Sequence, residues 1–313
     1  MAELPAGAIV GPMRLDESPA LQAFLAGRSI RLIGVHQYSP EGVANFLRNP
    51  VLDLESDTWV VTADGAIVGT AATVHHSDSV GIDVSSADRT TAEWLLDRAT
   101  ERAAELGREA DAAELPLSIN MIGADRLLAE LAAEQGFTHA TSIQRMKILH
   151  SGPINPPALP DRTVIHRGAD DEQSRRTVHR LVVESFAEQP DASPPEYDEW
   201  VASREARTTF DWSQVTVLDL DGQPVAVLEY DTNFVNSEGC GYVGRLGVLK
   251  QARGRGLAKY LLRDQFAQDA AVGLAGTLLH VNSSNPTPAV SLYLSAGMTP
   301  DIVNDVWRRT LTL

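Results

Sequence analysis

The most constraining feature of the chain is that it repeats itself. Leu117-Ser-Ile-Asn120 returns as Leu279-His-Val-Asn282, and Gln135-Gly-Phe137 returns as Ala296-Gly-Met298, both about 160 residues further on. A duplication at that period requires two copies of one fold, each with its own core, and excludes a solenoid of short repeats. At 313 residues and roughly 150 residues per domain, the length allows two such copies.

Hydrophobic periodicity gives both halves the same order of elements. In the first half it predicts helices over 18–31 and 40–48 and strands over 58–63, 66–74 and 80–84. Helix 90–106, ended by Gly107, strand 115–121, helix 124–135 and strand 141–149 follow. The second half reads as strand 163–167, helices 171–186 and 195–208, and strands 215–220, 224–230 and 241–249. It ends with helix 256–272, strand 277–282, helix 287–296 and strand 301–313. Between the halves, His150-Ser-Gly-Pro-Ile-Asn-Pro-Pro-Ala-Leu-Pro160 carries four prolines, which cannot continue a helix or a central strand. The expected organisation is therefore a domain over 1–150, a linker over 151–160 and a second domain over 161–313. Each would be a mixed central sheet flanked by helices, an α/β (α+β) fold.

Charge narrows the function. With a net charge of −16, the chain is a poor match for nucleic acid or an anionic membrane surface unless positive charge is concentrated locally. Between Gly239 and Arg263 it is: Arg245, Lys250, Arg253, Arg255, Lys259 and Arg263 stand there with no acid among them. In their midst, Gln251-Ala-Arg-Gly-Arg-Gly256 leads from a strand into an amphipathic helix. Glycines let backbone amides approach a ligand, and a helix N-terminus offers unpaired N–H groups and a positive dipole end, so the natural guest is a phosphate. A dinucleotide fingerprint would need a third glycine where Lys259 stands.

This strand, turn and long helix, followed by a strand ending in Asn282 and a helix bearing Tyr293 before Gly297, resembles the GNAT acyltransferase superfamily. Its phosphate turn has the pattern Gln/Arg-x-x-Gly-x-Gly/Ala, and Gln251, Gly254 and Gly256 fill the three fixed places. The two-domain layout is similar to that of mycothiol synthase and related tandem bacterial acetyltransferases. Arginine, at 23 residues against 3 lysines, suits a GC-rich bacterial genome. The resemblance implies acetyl-CoA as co-substrate and a small-molecule amine as acceptor, with direct attack of the amine on the thioester. It implies that backbone groups of Leu246, Gly247 and Val248 meet the acyl and pantetheine portions. Amides of Arg253, Gly254, Arg255, Gly256, Leu257 and Ala258 would hold the pyrophosphate, with Asn282 and Asn285 on the pantetheine or adenine side. Tyr293 matches the general acid that protonates the departing thiolate. Glu229 is the candidate base and Glu238 the second choice. The segment 191–205, with Asp191, Glu196, Asp198, Glu199 and Glu205, is a candidate wall for a cationic acceptor. Mycothiol synthase would want a Glu near Tyr242, and none is there.

In the first copy the matching turn is Ser85-Ser-Ala-Asp-Arg-Thr90, without glycine, and Ala132 falls near the place of Tyr293. Seven acids against three arginines between Asp78 and Glu105 invert the charge of the second copy. A non-catalytic first domain is expected, packing on its partner or shaping the substrate site. His75 and His76 point to opposite faces of a strand, so no metal is expected. Cys240, the lone cysteine, reads as a small buried residue. No basic and apolar leader and no run of ~20 apolar residues is present, which leads to the expectation of a cytoplasmic protein without membrane or nucleic-acid partners. Two other readings of the basic turn are an acyl-CoA-binding sensor and a structural partner holding some other anion; within the resemblance, the mycothiol synthase activity itself is the alternative.

Overall fold

The computed structural model describes residues 3–76, 78–189, 195–284 and 287–313. It forms two compact units, one running up to Ile143 together with Val303–Leu313, the other comprising Gln144–Ile302. The proline-rich segment 151–160 therefore lies inside the second unit. Residues 144–149 and 303–313 each belong to the unit opposite to the one a cut at that segment would assign.

The first unit contains β1 (Ile9–Gly11), α1 (Ser18–Ile33), α2 (Pro40–Leu47), α3 (Leu54–Asp57), β2 (Thr58–Ala63), β3 (Ala66–His75), β4 (Val80–Ser86), α4 (Arg89–Glu109), β5 (Glu114–Ile122), α5 (Arg126–Glu134) and the start of β6 (Thr138–Leu149). The second contains the end of β6, then β7 (Thr163–Arg167), α6 (Glu172–Phe186), α7 (Tyr197–Glu205), β8 (Thr216–Leu220), β9 (Gln223–Asp231), α8 (Val235–Glu238), β10 (Cys240–Val248), α9 (Leu257–Ala271), β11 (Gly276–Asn282), α10 (Ala289–Ser295) and the start of β12 (Thr299–Thr312). In the first unit the strands lie in the order β1-β2-β3-β4-β5-β12, and in the second β6-β11-β10-β9-β8-β7. Asn304–Thr312 of β12 pairs antiparallel with β5. The mixed sheets and their flanking helices match the expected α/β (α+β) class.

Most elements fall within a few residues of their expected places. The short β1, α3 and α8 lack the length to show a period. Gly107 does not end α4: the helix runs to Glu109, and a Cβ at 107 would collide with the Leu313 side chain. Glycine there is a packing requirement.

Both units bury two helical layers against a sheet. In the first, Leu95, Leu96 and Ala99 of α4 meet Ile82, Leu117 and Ile119, while Leu21, Val43 and Leu47 of α1 and α2 meet Val60 and Ala72. In the second, Leu261 and Phe266 of α9 and Tyr293 of α10 meet Val243, Leu279 and Val281. Across its sheet, Leu181 and Trp200 of α6 and α7 pack on Val217 and Val227. A core leucine such as Leu261, 1% exposed, costs about 2–5 kcal/mol when cut to alanine. No helix among the described residues is long and apolar enough to cross a membrane.

Candidate active site

The second unit's sheet comes apart at its centre. β10 and β11 run parallel from Cys240↔Gly276 to Val243↔Leu279 and then separate, although β10 continues to Val248 and β11 to Asn282. A bulge between Val243 and Arg245 marks the parting, since an extra residue bends its strand and increases the local twist. Beyond it, one edge of β10 has lost its neighbour while the other stays paired to β9 through Val248. That free edge offers backbone donors and acceptors to an extended ligand. Gly247 lacks a side chain for a local reason: a Cβ there would stand 2.8 Å from Ser185 Cβ on α6.

The gap opens into a cleft of about 450 Å³. Leu246, Gly247, Val248, Arg253, Gly254, Gly256, Leu257, Ala258, Asn282 and Tyr293 all line it, which brings together ten of the residues named from the sequence. Arg255 and Glu229 are not among the lining residues, and Asn285 lies outside the described residues.

At one end of the cleft, α9 begins bare. Gly256 at its N-cap has φ 78° and supplies no side-chain cap, and Gly254 has φ 76°. This left-handed region disfavours residues with a Cβ. The first amides of α9 thus face the cleft without a carboxylate or hydroxyl of their own chain upon them, at the positive end of the helix dipole. Most of the Arg253 guanidinium is spent nearby: it donates to Val248 O (3.1 Å), Ser185 O (3.1 Å) and Glu188 Oε2 (2.5 Å). Lys250 also pairs with Glu188, at 2.5 Å, so this acid just beyond α6 offsets part of the basic excess seen in the sequence.

Tyr293 projects from α10 into the same cleft and is only 8% exposed. Burial, reinforced by the nearby Tyr242, pushes its phenol up to about 12, so it holds its proton at neutral pH. On the other side of the parting, the Tyr242 hydroxyl and His280 Nδ1 stand 3.0 Å apart. Burial, with the charge of Arg145 acting in the same direction, pushes His280 down to about 4, which leaves the imidazole neutral. Burial raises Tyr242 to about 12 as well. The sequence reading missed this pair, whose partners sit 38 positions apart on adjoining strands.

Glu229 is placed differently from its expected role as base. It is 5% exposed, and the Arg204 guanidinium donates to both its oxygens at 2.9–3.2 Å. Both carboxylate oxygens are thus engaged by one guanidinium. The second choice, Glu238, is bound to Arg145 and Lys147 at 2.5 and 2.8 Å and does not line the cleft. Nor does the acidic wall form there: Glu196, Asp198, Glu199 and Glu205 are absent from the cleft lining, Glu205 pairs with Arg175 at 3.1 Å, and Asp191 lies outside the described residues. Cys240 is buried, and burial pushes its thiol up. Among the described residues, no group of three or more His, Cys, Asp or Glu could hold a metal ion.

The first unit repeats the parting but not the cradle. β4 and β5 pair only from Val80↔Leu117 to Ile82↔Ile119. At the start of α4, however, Asp88 accepts hydrogen bonds from the Thr91 amide (2.7 Å) and hydroxyl (2.8 Å). The chain's own carboxylate occupies the place where an anion would bind. In α5, Ala132 is fully buried and offers no hydroxyl.

Residues 176–298, which lie within the second unit, match the acetyltransferase (GNAT) family. The whole chain has the tandem GNAT fold. It superposes on a GCN5-related N-acetyltransferase from Sphaerobacter thermophilus with a TM-score of 0.81 at 21% identity, over 99% of this chain and 98% of that one. A tandem GNAT protein from the clavulanic acid biosynthesis pathway gives 0.67 at 15% identity, over 97% and 98%. For an acetyltransferase from Pyrococcus horikoshii, described as putative in its source, the values are 0.62 and 11%, over 98% and 90%. No curated protein matches the chain.

Proposed function

We propose that the second unit transfers an acetyl group from acetyl-CoA to the amine of a small molecule in the cytoplasm, and that the first unit performs no chemistry. The observation that carries this reading is the bare, glycine-led start of α9 opening on the same cleft as the free edge of β10 and the Tyr293 phenol. Leu246, Gly247 and Val248 align the thioester on the strand edge. Amides from Arg253 through Ala258 hold the pyrophosphate, and Asn282 bounds the far side. The neutral amine attacks the carbonyl carbon, a C–N bond forms, and the C–S bond breaks. Tyr293 gives its proton to the leaving thiolate, and the ammonium proton leaves through solvent because Glu229 is already engaged.

Release of CoA from acetyl-CoA, followed with a panel of amines, tests the reading. Amine-dependent release supports it. Acetyl-CoA binding without release on any amine replaces the enzyme with a sensor, and phosphate competing as well as CoA replaces it with a general anion site.

A further inference from the structure

Two guanidiniums near Tyr242, at the strand parting, have unspent donors. Arg245, which lines the cleft, follows the bulge on β10, with its side chain 48% exposed. Arg207, just beyond α7, is 42% exposed. Their nearest carboxylates are Glu229 Oε2 at 4.0 Å and Asp231 Oδ2 at 3.9 Å, too far for a hydrogen bond. Neither guanidinium makes another hydrogen bond among the described residues. The contrast with Arg204 is direct, because that residue closes on Glu229 to 2.9 Å.

The carboxylates cannot absorb the extra charge. Glu229 already takes the fork of Arg204, and Asp231 Oδ1 accepts from the Asn233 amide at 2.7 Å. Three guanidiniums thus stand against two buried carboxylates. The cluster is electrostatically one body: Arg245 and Arg207 both act on the buried Arg204 guanidinium, whose main perturbation is burial. Together with Asp231 they also act on the Tyr242 phenol, again after burial. Arg245 and Arg207 therefore both lie close enough to act on Tyr242 at the strand parting. Arg245 is further oriented by the Phe186 ring, 5.8 Å from its centroid.

Guanidiniums with free planar forks, half-exposed and outnumbering the carboxylates behind them, are suited to bind a carboxylate or phosphate in two-pronged fashion. We propose that Arg245 and Arg207 form an anion subsite beside the strand parting, and that the acceptor amine carries a carboxylate or phosphate group held there. This rests on the acetyl-transfer reading above and reverses the acceptor charge expected from the sequence.

The test uses pairs of amines differing in one charged group: β-alanine with its amide, and glucosamine 6-phosphate with glucosamine. Binding to the full chain in the presence of CoA is measured by calorimetry, and kcat/KM by CoA release. The expected result is a preference of at least tenfold for the anionic member of one pair, and the pair that shows it identifies the anion as carboxylate or phosphate. Substituting Arg245→Gln and Arg207→Gln together cuts that preference about 10–100-fold, the range for a lost hydrogen-bonded charge. A thermal melt checks that this variant folds. Arg245→Lys, which keeps the charge but loses the fork, restores only part of the preference. Equal or reversed binding within both pairs, no binding of either pair, or a preference that survives the double substitution overturns the subsite. The acetyl-transfer reading is judged separately, by whether any amine releases CoA.

Discussion

Gly256 allows the cost of backbone conformation to be separated from the cost of lost ligand contact. It has φ 78°, and a Cβ built on it meets nothing within 4 Å. Gly222, in the two-residue turn between β8 and β9, has φ 76° and equally open surroundings, but it does not line the cleft. Alanine at either position therefore costs the left-handed penalty alone, about 1–2 kcal/mol. The melting temperature should fall by about 2–4 °C for each kcal/mol in a chain of this size, and by nearly the same amount in Gly256→Ala and Gly222→Ala. Only at Gly256 does the new methyl enter the cleft at the bare start of α9. There it keeps the pyrophosphate from the amides and forfeits a charge-assisted hydrogen bond of about 1.5–3 kcal/mol, or 10–100-fold in acetyl-CoA affinity. Paired thermal melts and calorimetric titrations with acetyl-CoA make the comparison. Matching melting temperatures together with an affinity for Gly256→Ala within twofold of the parent would refute the cradle.

Four further outcomes are expected. Tyr293→Phe should slow single-turnover acetyl transfer by about 10²-fold with little change in acetyl-CoA affinity; an unchanged rate would make Tyr293 a packing residue. Acetyl-CoA should titrate to one strong site per chain, and Gly254→Asp with Gly256→Asp should abolish it by placing carboxylates where Asp88 places one in the first unit; two sites would refute the assignment of the first unit. The pH profile of kcat/KM should rise with unit slope toward the acceptor's own ammonium pKa, because His280 is pushed down to about 4 and Tyr242 and Tyr293 up to about 12; a break near pH 6–7 that is independent of the amine would reveal a base in the protein. Finally, a histidine whose pKa is depressed in the fold binds its proton more readily when unfolded, so its contribution is full above about 6.5 and is lost as pH falls toward about 4. Denaturant melts should therefore show a smaller loss over that window for His280→Gln than for the parent.

The features legible in the sequence were those that local chemistry dictates. Gly254 and Gly256 mark a backbone conformation that other residues resist, and Tyr293 follows from the order of elements around it. The duplication made both sheets expected from one period. What was not legible depends on lateral neighbours. Tyr242 finds His280 only once β10 and β11 pair, and Glu229 could be taken for a free base until α7 folds back to bring Arg204 against it, from 25 positions earlier. The destination of β12 is hidden for the same reason: an alternating strand satisfies any sheet edge that offers a core beneath it.

The reciprocal placement of residues 144–149 and 303–313 gives the protein an order of birth. On the ribosome, everything up to Ile143 emerges while the strand that will border β5 is still some 160 codons away. Until then β5 presents an unsatisfied backbone edge, the kind of surface that recruits stray strands. The early half must wait in a partly finished state, and its completion coincides with that of the half carrying the cleft. A cut at the prolines would part β5 from its partner strand β12 and leave that edge open.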